Sequence, residues 1–82
     1  MPVFMGKHKL SEDTTEEQMQ EGWEKYKAAA RARGLKPLHA NYSLENGFAY
    51  CETEAPSAQD VREAHEVSAI PLEDVVEVVT VD

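Results

Sequence analysis

The sequence predicts an α+β sandwich in which four antiparallel strands form one sheet and two helices cover one of its faces. Two observations predict it. Strand-like and helix-like apolar periods follow one another in the order β-α-β-β-α-β. The pair Asn46-Gly47 sits between the two middle strand segments, and Asn-Gly is a strong hairpin signal because both residues tolerate positive φ. Right-handed crossovers then place the strands in the spatial order 4-1-3-2, with both helices on the same side.

The elements follow from local chemistry. Val3 to Lys9 alternates, with Phe4, Gly6 and His8 on one side and Val3, Met5 and Lys7 on the other. Both sides begin apolar, as a central strand requires, and Gly6 marks a bulge or a close approach. Thr14 and Glu17 form a T-x-x-E capping box at the start of a helix running from about Thr15 to Arg33. Met19, Trp23, Tyr26 and Ala30 make its apolar stripe, and Gly34 and Pro37 end it. Gly22 in mid-helix suggests a close neighbour there.

Leu38 to Ser43 and Phe48 to Thr53 are the hairpin strands. A two-residue turn sets Tyr42 opposite Cys51 and Ser43 opposite Tyr50. One face then holds Leu38, Ala40, Tyr42, Ala49, Cys51 and Thr53; the other holds His39, Asn41, Ser43, Phe48, Tyr50 and Glu52. Pro56 turns the chain and Ser57 caps the second helix, whose stripe is Val61, Ala64, His65 and Ser68 before Pro71 stops it. Val75 to Val81 is a β-branched final strand. The whole, residues 1–82, is one domain of ferredoxin-like topology. The sheet face without helices is expected to carry Phe48 and Tyr50, with Phe4 a further candidate. Such a patch suits pairing with a second copy of the chain.

Composition excludes several partners. Sixteen acidic and eight basic residues give a net charge of −8, which repels nucleic acid and anionic membrane surfaces and favours cations. A single cysteine excludes an internal disulfide and points to a reducing compartment. No basic segment followed by an apolar run opens the chain, so no signal peptide is expected and the cytoplasm is the expected location. A domain this small buries only about 60–65% of its unfolded surface, and dimerisation is a common remedy.

The chemistry-bearing residues are His8, His39, Cys51 and His65, with Glu52, Asp60 and Glu66 as oxygen donors. Strands one and three are neighbours in the predicted sheet, so His8 and Cys51 come from adjacent strands. His65 lies on the inward stripe of the second helix, within reach of Cys51. Thiolate with imidazole suits nickel, zinc or copper, and affinity order alone favours copper. Two plainer readings stand beside this one. A lone cysteine on a central strand packs as a small hydrophobe, and a histidine on an apolar helix stripe satisfies itself within the core. Enzymatic readings are a Cys51–His65 nucleophile and base, or His8, His39 and Tyr50 doing acid–base work inside a dimeric α/β barrel of oxygenase or isomerase type. The same open face is also the candidate site for a small-molecule-binding module.

Several segments resemble a family of small bacterial nickel-binding proteins, a domain family of otherwise unknown function. They are Phe4-Met5 with His8, the run Phe48-Ala49-Tyr50-Cys51-Glu52-Thr53-Glu54-Ala55-Pro56-Ser57-Ala58, Val61 through His65, and the ending at Pro71 and Glu77-Val78. The resemblance implies a ferredoxin-like fold, a homodimer, and nickel held for storage or sequestration rather than catalysis. It implies His8, Cys51 and His65 as metal residues; His39 and Glu52 are lesser candidates by residue type alone. Lys9 departs from the family type, which has a second histidine after the first.

Overall fold

A computed structural model describes residues 1–82 and has the element order β1 (Val3–Lys9), α1 (Glu16–Ala32), β2 (Lys36–Ser43), β3 (Phe48–Glu54), α2 (Ala58–Val67) and β4 (Asp74–Val78). The four strands form one antiparallel sheet in the order β2-β3-β1-β4, the ferredoxin-like order that the sequence predicts. The core between helices and sheet holds Phe4, Tyr26, Ala30, Leu35, Ala55, Val61, Ala64 and Val75, with Trp23, Ile70 and Leu72 packed against it.

Helix α1 begins one residue later than its expected capping box. Thr15, not Thr14, is the cap: its hydroxyl accepts from the Gln18 amide, and the Gln18 side chain accepts from the Thr15 amide. Thr14 is engaged elsewhere, its hydroxyl paired with that of Ser11. At the far end the amides of Gly34 and Leu35 return to the carbonyls of Arg31 and Ala30, with Gly34 at φ 78°. Gly22 has no backbone close by; a Cβ there would meet only the tip of Ile70 at ordinary contact distance. Helix α2 starts at Ser57, whose hydroxyl accepts from the Asp60 amide. It ends in the same kind of motif, with Ala69 at φ 57° and the Ile70 amide donating to the His65 carbonyl.

The hairpin differs from the expected two-residue turn. Its loop has four residues, Leu44 to Gly47, and pairs Ala40 with Cys51 and Asn41 with Tyr50. Ser43 is the cause. Its hydroxyl accepts from the backbone amide and side-chain amide of Asn46, and the Gly47 amide returns to the Ser43 carbonyl. Only Gly47 takes a positive φ, whereas a type I′ turn needs positive φ at both central residues. The slip is two residues, so the face assignments of Ala40, Tyr42, Ala49, Cys51 and Thr53 survive it. Leu38 does not keep its place, because the register shifts between Pro37 and His39.

Two other expectations are corrected. Phe4 pairs with Thr53 and points into the core at 7% exposure, so it is not on the open face. Strand β4 ends at Val78 rather than Val81, and Val79 and Val81 are exposed. Its pairing with β1 ends where β1 itself begins, at Val3↔Val78. The open face carries Phe48 and Tyr50, whose ring centroids are 5.2 Å apart. No helix is long and apolar enough to cross a membrane.

Candidate metal centre

Strand pairing and helix periodicity bring three side chains to one point. Gly6 pairs with Cys51 and His8 with Ala49, so His8 and Cys51 are diagonal neighbours on the helix-covered face. His65 descends onto them from α2, one turn beyond Val61 on the same buried stripe. His8 Nε2 is 3.4 Å from Cys51 Sγ, and His65 Nε2 is 3.4 Å from the same sulfur. One donor atom from each residue lies within 4.8 Å of the other two.

The backbone fixes which ring nitrogens are free. His8 Nδ1 is 2.7 Å from the Pro71 carbonyl, and His65 Nδ1 is 2.7 Å from the Val61 carbonyl. A carbonyl only accepts, so each Nδ1 carries the proton. Each Nε2 therefore presents a lone pair toward the sulfur, the tautomer a metal ligand requires. The one S–H of Cys51 can satisfy only one of the two Nε2 atoms at a time.

Burial keeps the centre neutral without a metal. It pushes the Cys51 thiol up to about 11, against opposing backbone hydrogen bonds and with help from the Glu52 charge. It pushes His65 down to about 4, with the Val61 hydrogen bond opposing and neighbouring His8 reinforcing. It also lowers His8, offset by the Pro71 carbonyl. A thiol and two neutral imidazoles hold no compensating positive charge. A dication replacing the thiol proton supplies it, so this donor set fits a borderline metal.

Space for the cluster depends on Gly6. A Cβ there would sit 2.8 Å from Cys51 Sγ, 3.0 Å from Leu72 Cδ1 and 3.5 Å from His65 Cε1. Gly6 thus marks a close approach, the second of the two expectations for it, within a continuous β1–β3 register. Tyr26 supports the cluster from α1. Its ring centroid is 4.2 Å from that of His65, and its hydroxyl pairs with the Thr53 hydroxyl at 2.5 Å. The rings of His8 and His65 are 5.1 Å apart.

The other candidates lie elsewhere. His39 Nε2 is hydrogen-bonded to the Glu52 carboxylate at 2.8 Å on the opposite face of the sheet, away from the cluster. His8 faces the helices, so the proposed grouping of His8 with His39 and Tyr50 on the uncovered face does not form. Asp60 is spent on the Ser57 cap and Glu66 is exposed. Sequence reasoning missed the Val61 and Pro71 carbonyls. The first had a signal, since a residue four positions before a helical histidine places its carbonyl under the ring. The second had none, because it is reached across 63 positions of chain.

Against known proteins, no functionally curated protein matches the sequence. The solved structure of SCO4226 from Streptomyces coelicolor A3(2) matches with a TM-score of 0.87, covering 98% of this chain and 99% of that one at 24% identity, which establishes the shared fold. Residues 4–78 match the family described as nickel responsive protein SCO4226-like. That span holds every residue of the His8–Cys51–His65 cluster and every strand but the first residue of β1, and the chain belongs to the SCO4226-like nickel-responsive family.

Proposed function

We propose that the protein binds Ni²⁺ through His8 Nε2, Cys51 Sγ and His65 Nε2 and sequesters it without catalysis, in the cytoplasm, as a homodimer paired through its open sheet face. The observation that carries this reading is the convergence of three donor atoms within 4.8 Å, with both imidazoles held in the ligating tautomer by backbone carbonyls. The family's nickel-responsive description supports nickel over zinc or copper. A bound nickel ion would supply the positive charge that turns the Cys51 thiol into a thiolate. The chain's own residues do the rest: His65 and Cys51 hold the buried side, half-buried His8 is the ligand nearest solvent, and Gly6 keeps the space open.

Calorimetric titration with Ni²⁺ of untagged protein, beside Cys51→Ala and His65→Ala, tests it. Each variant is expected to lose more than the roughly 10–100-fold typical of changing a residue that only supports a ligand. A thiolate-to-nickel charge-transfer absorption is expected in the wild type and absent in Cys51→Ala. Equal weak binding by all three proteins overturns the assignment.

A further inference from the structure

Three protein donors leave a metal with open positions, as in exchangeable rather than closed sites. A cleft of about 460 Å³ runs from the cluster outward, and His8, Cys51 and His65 all form part of its wall. That volume falls in the range of small-molecule sites. The rest of the wall is mixed. Met19, Trp23 and Ile70 offer an apolar surface beside the cluster. Trp23 stacks on Tyr26 at 5.9 Å, and Tyr26 lies on His65, so aromatic surface is continuous from the mouth to the ligating ring. Lys25 also lines the cleft and takes no part in an ion pair, whereas Lys27, Lys36, Arg33 and Arg62 all do. Gln18 and Glu21 complete the polar rim.

From this arrangement we infer that the cleft takes a small organic chelator of amino-acid type together with the metal. Its amine and carboxylate would fill the open metal positions, its negative charge would face Lys25, and an apolar or aromatic side chain would lie against Trp23 and Met19. The inference rests on the nickel reading above and adds the ligand class of that site.

The test uses two chelators with one donor set. Glycine and L-phenylalanine both offer an amine and a carboxylate, so any difference between them reads the cleft. Ni²⁺ alone is titrated first, and each amino acid is then titrated into the nickel-loaded protein by calorimetry and by fluorescence of Trp23, the single tryptophan. L-Phenylalanine is expected to bind at least about tenfold more tightly than glycine, a difference of roughly 1.4 kcal/mol, and to change Trp23 emission. Met19→Ala is expected to bring the phenylalanine-to-glycine ratio toward one, a ratio that does not depend on the fraction of folded protein. Nickel binding with equal affinity for the two amino acids, or a ratio unmoved by Met19→Ala, overturns this inference and leaves the metal site standing. Failure to bind Ni²⁺ alone overturns both.

Discussion

Cys51 Sγ and His65 Nε2 stand 3.4 Å apart although a central strand supplies one and a helix fourteen positions later supplies the other. The connection between them is short, with Pro56 turning the chain and Ser57 capping the helix at once. The site geometry is therefore set largely by how α2 leaves β3. What remains to be supplied is room on the sheet, and that comes from Gly6.

Gly6→Ala measures this room. Alanine normally improves a strand position by roughly 0.5–1 kcal/mol over glycine. Here its methyl would meet the Cys51 sulfur at 2.8 Å and Leu72 at 3.0 Å. Overpacking of that kind costs about 1–3 kcal/mol, so the clash outweighs the propensity gain. We expect a lower urea midpoint and a nickel affinity reduced about tenfold or more, read by calorimetry. A stabilised variant with unchanged nickel affinity would show that the cluster does not need the space.

Proton release should accompany metal binding. With the thiol pushed up to about 11, Cys51 is protonated at pH 8, and both imidazoles, lowered by burial, are already neutral. One proton is expected to leave per nickel bound, all of it from sulfur. Apparent affinity should therefore rise about tenfold per pH unit between pH 7 and 9. Titrations in buffers of different ionisation enthalpy count the protons directly, and a count near zero would remove Cys51 from the ligand set.

Much of this site could be read from the sequence, and the reasons are specific. His65 fell on the helix stripe because Val61, Ala64 and His65 obey helical spacing. Cys51 and His8 fell on adjacent strands because the hairpin and crossover rules leave one order for four strands. The hairpin register did not follow, since Ser43 captures Asn46 and lengthens the loop, a side-chain contact that the Asn-Gly signal does not report. Phe4 was ambiguous because both sides of β1 begin apolar, and only its pairing with Thr53 decides the side. Gly6 was recognisable as unusual, but its partners Leu72 and His65 come from other elements.

Acid should weaken the metal-free protein through His65. Burial holds its native pKa near 4, while the unfolded chain titrates near 6.5. Between those values the unfolded state binds a proton that the native state refuses. Stability is therefore complete above about pH 6.5 and falls as pH drops toward 4, by on the order of 3 kcal/mol. Carboxylates also titrate in part of this window, so the comparison is with His65→Gln. The variant should show a smaller loss of urea midpoint between pH 7 and 4.5. Parallel losses would mean that His65 is not held neutral.

The two faces of the sheet should behave independently. His39 pairs with Glu52 on the face away from the cluster, so His39→Ala is expected to bind nickel as the wild type does. Tyr50 and Phe48 share that open face, and Tyr50→Lys places a charge in the proposed dimer contact. Sedimentation should then shift toward the monomer. A dimer unaffected by Tyr50→Lys would place the contact elsewhere on the surface.

Tyr26 and Thr53 hold α1 to β3 behind the cluster. Thr53 is fully buried, and its hydroxyl meets the Tyr26 hydroxyl at 2.5 Å. Tyr26→Phe keeps the ring against His65 but leaves the Thr53 hydroxyl without that partner, at a cost of about 1–3 kcal/mol. Thr53→Val leaves the Tyr26 hydroxyl in the same position and should cost a similar amount. The double variant removes both polar groups and is expected to be more stable than the sum of the single losses allows, because no polar group is then stranded. Urea unfolding of the four proteins gives the coupling directly. Strict additivity would mean that each hydroxyl finds another partner when its neighbour is removed, and that the pair does not anchor the helix behind the cluster.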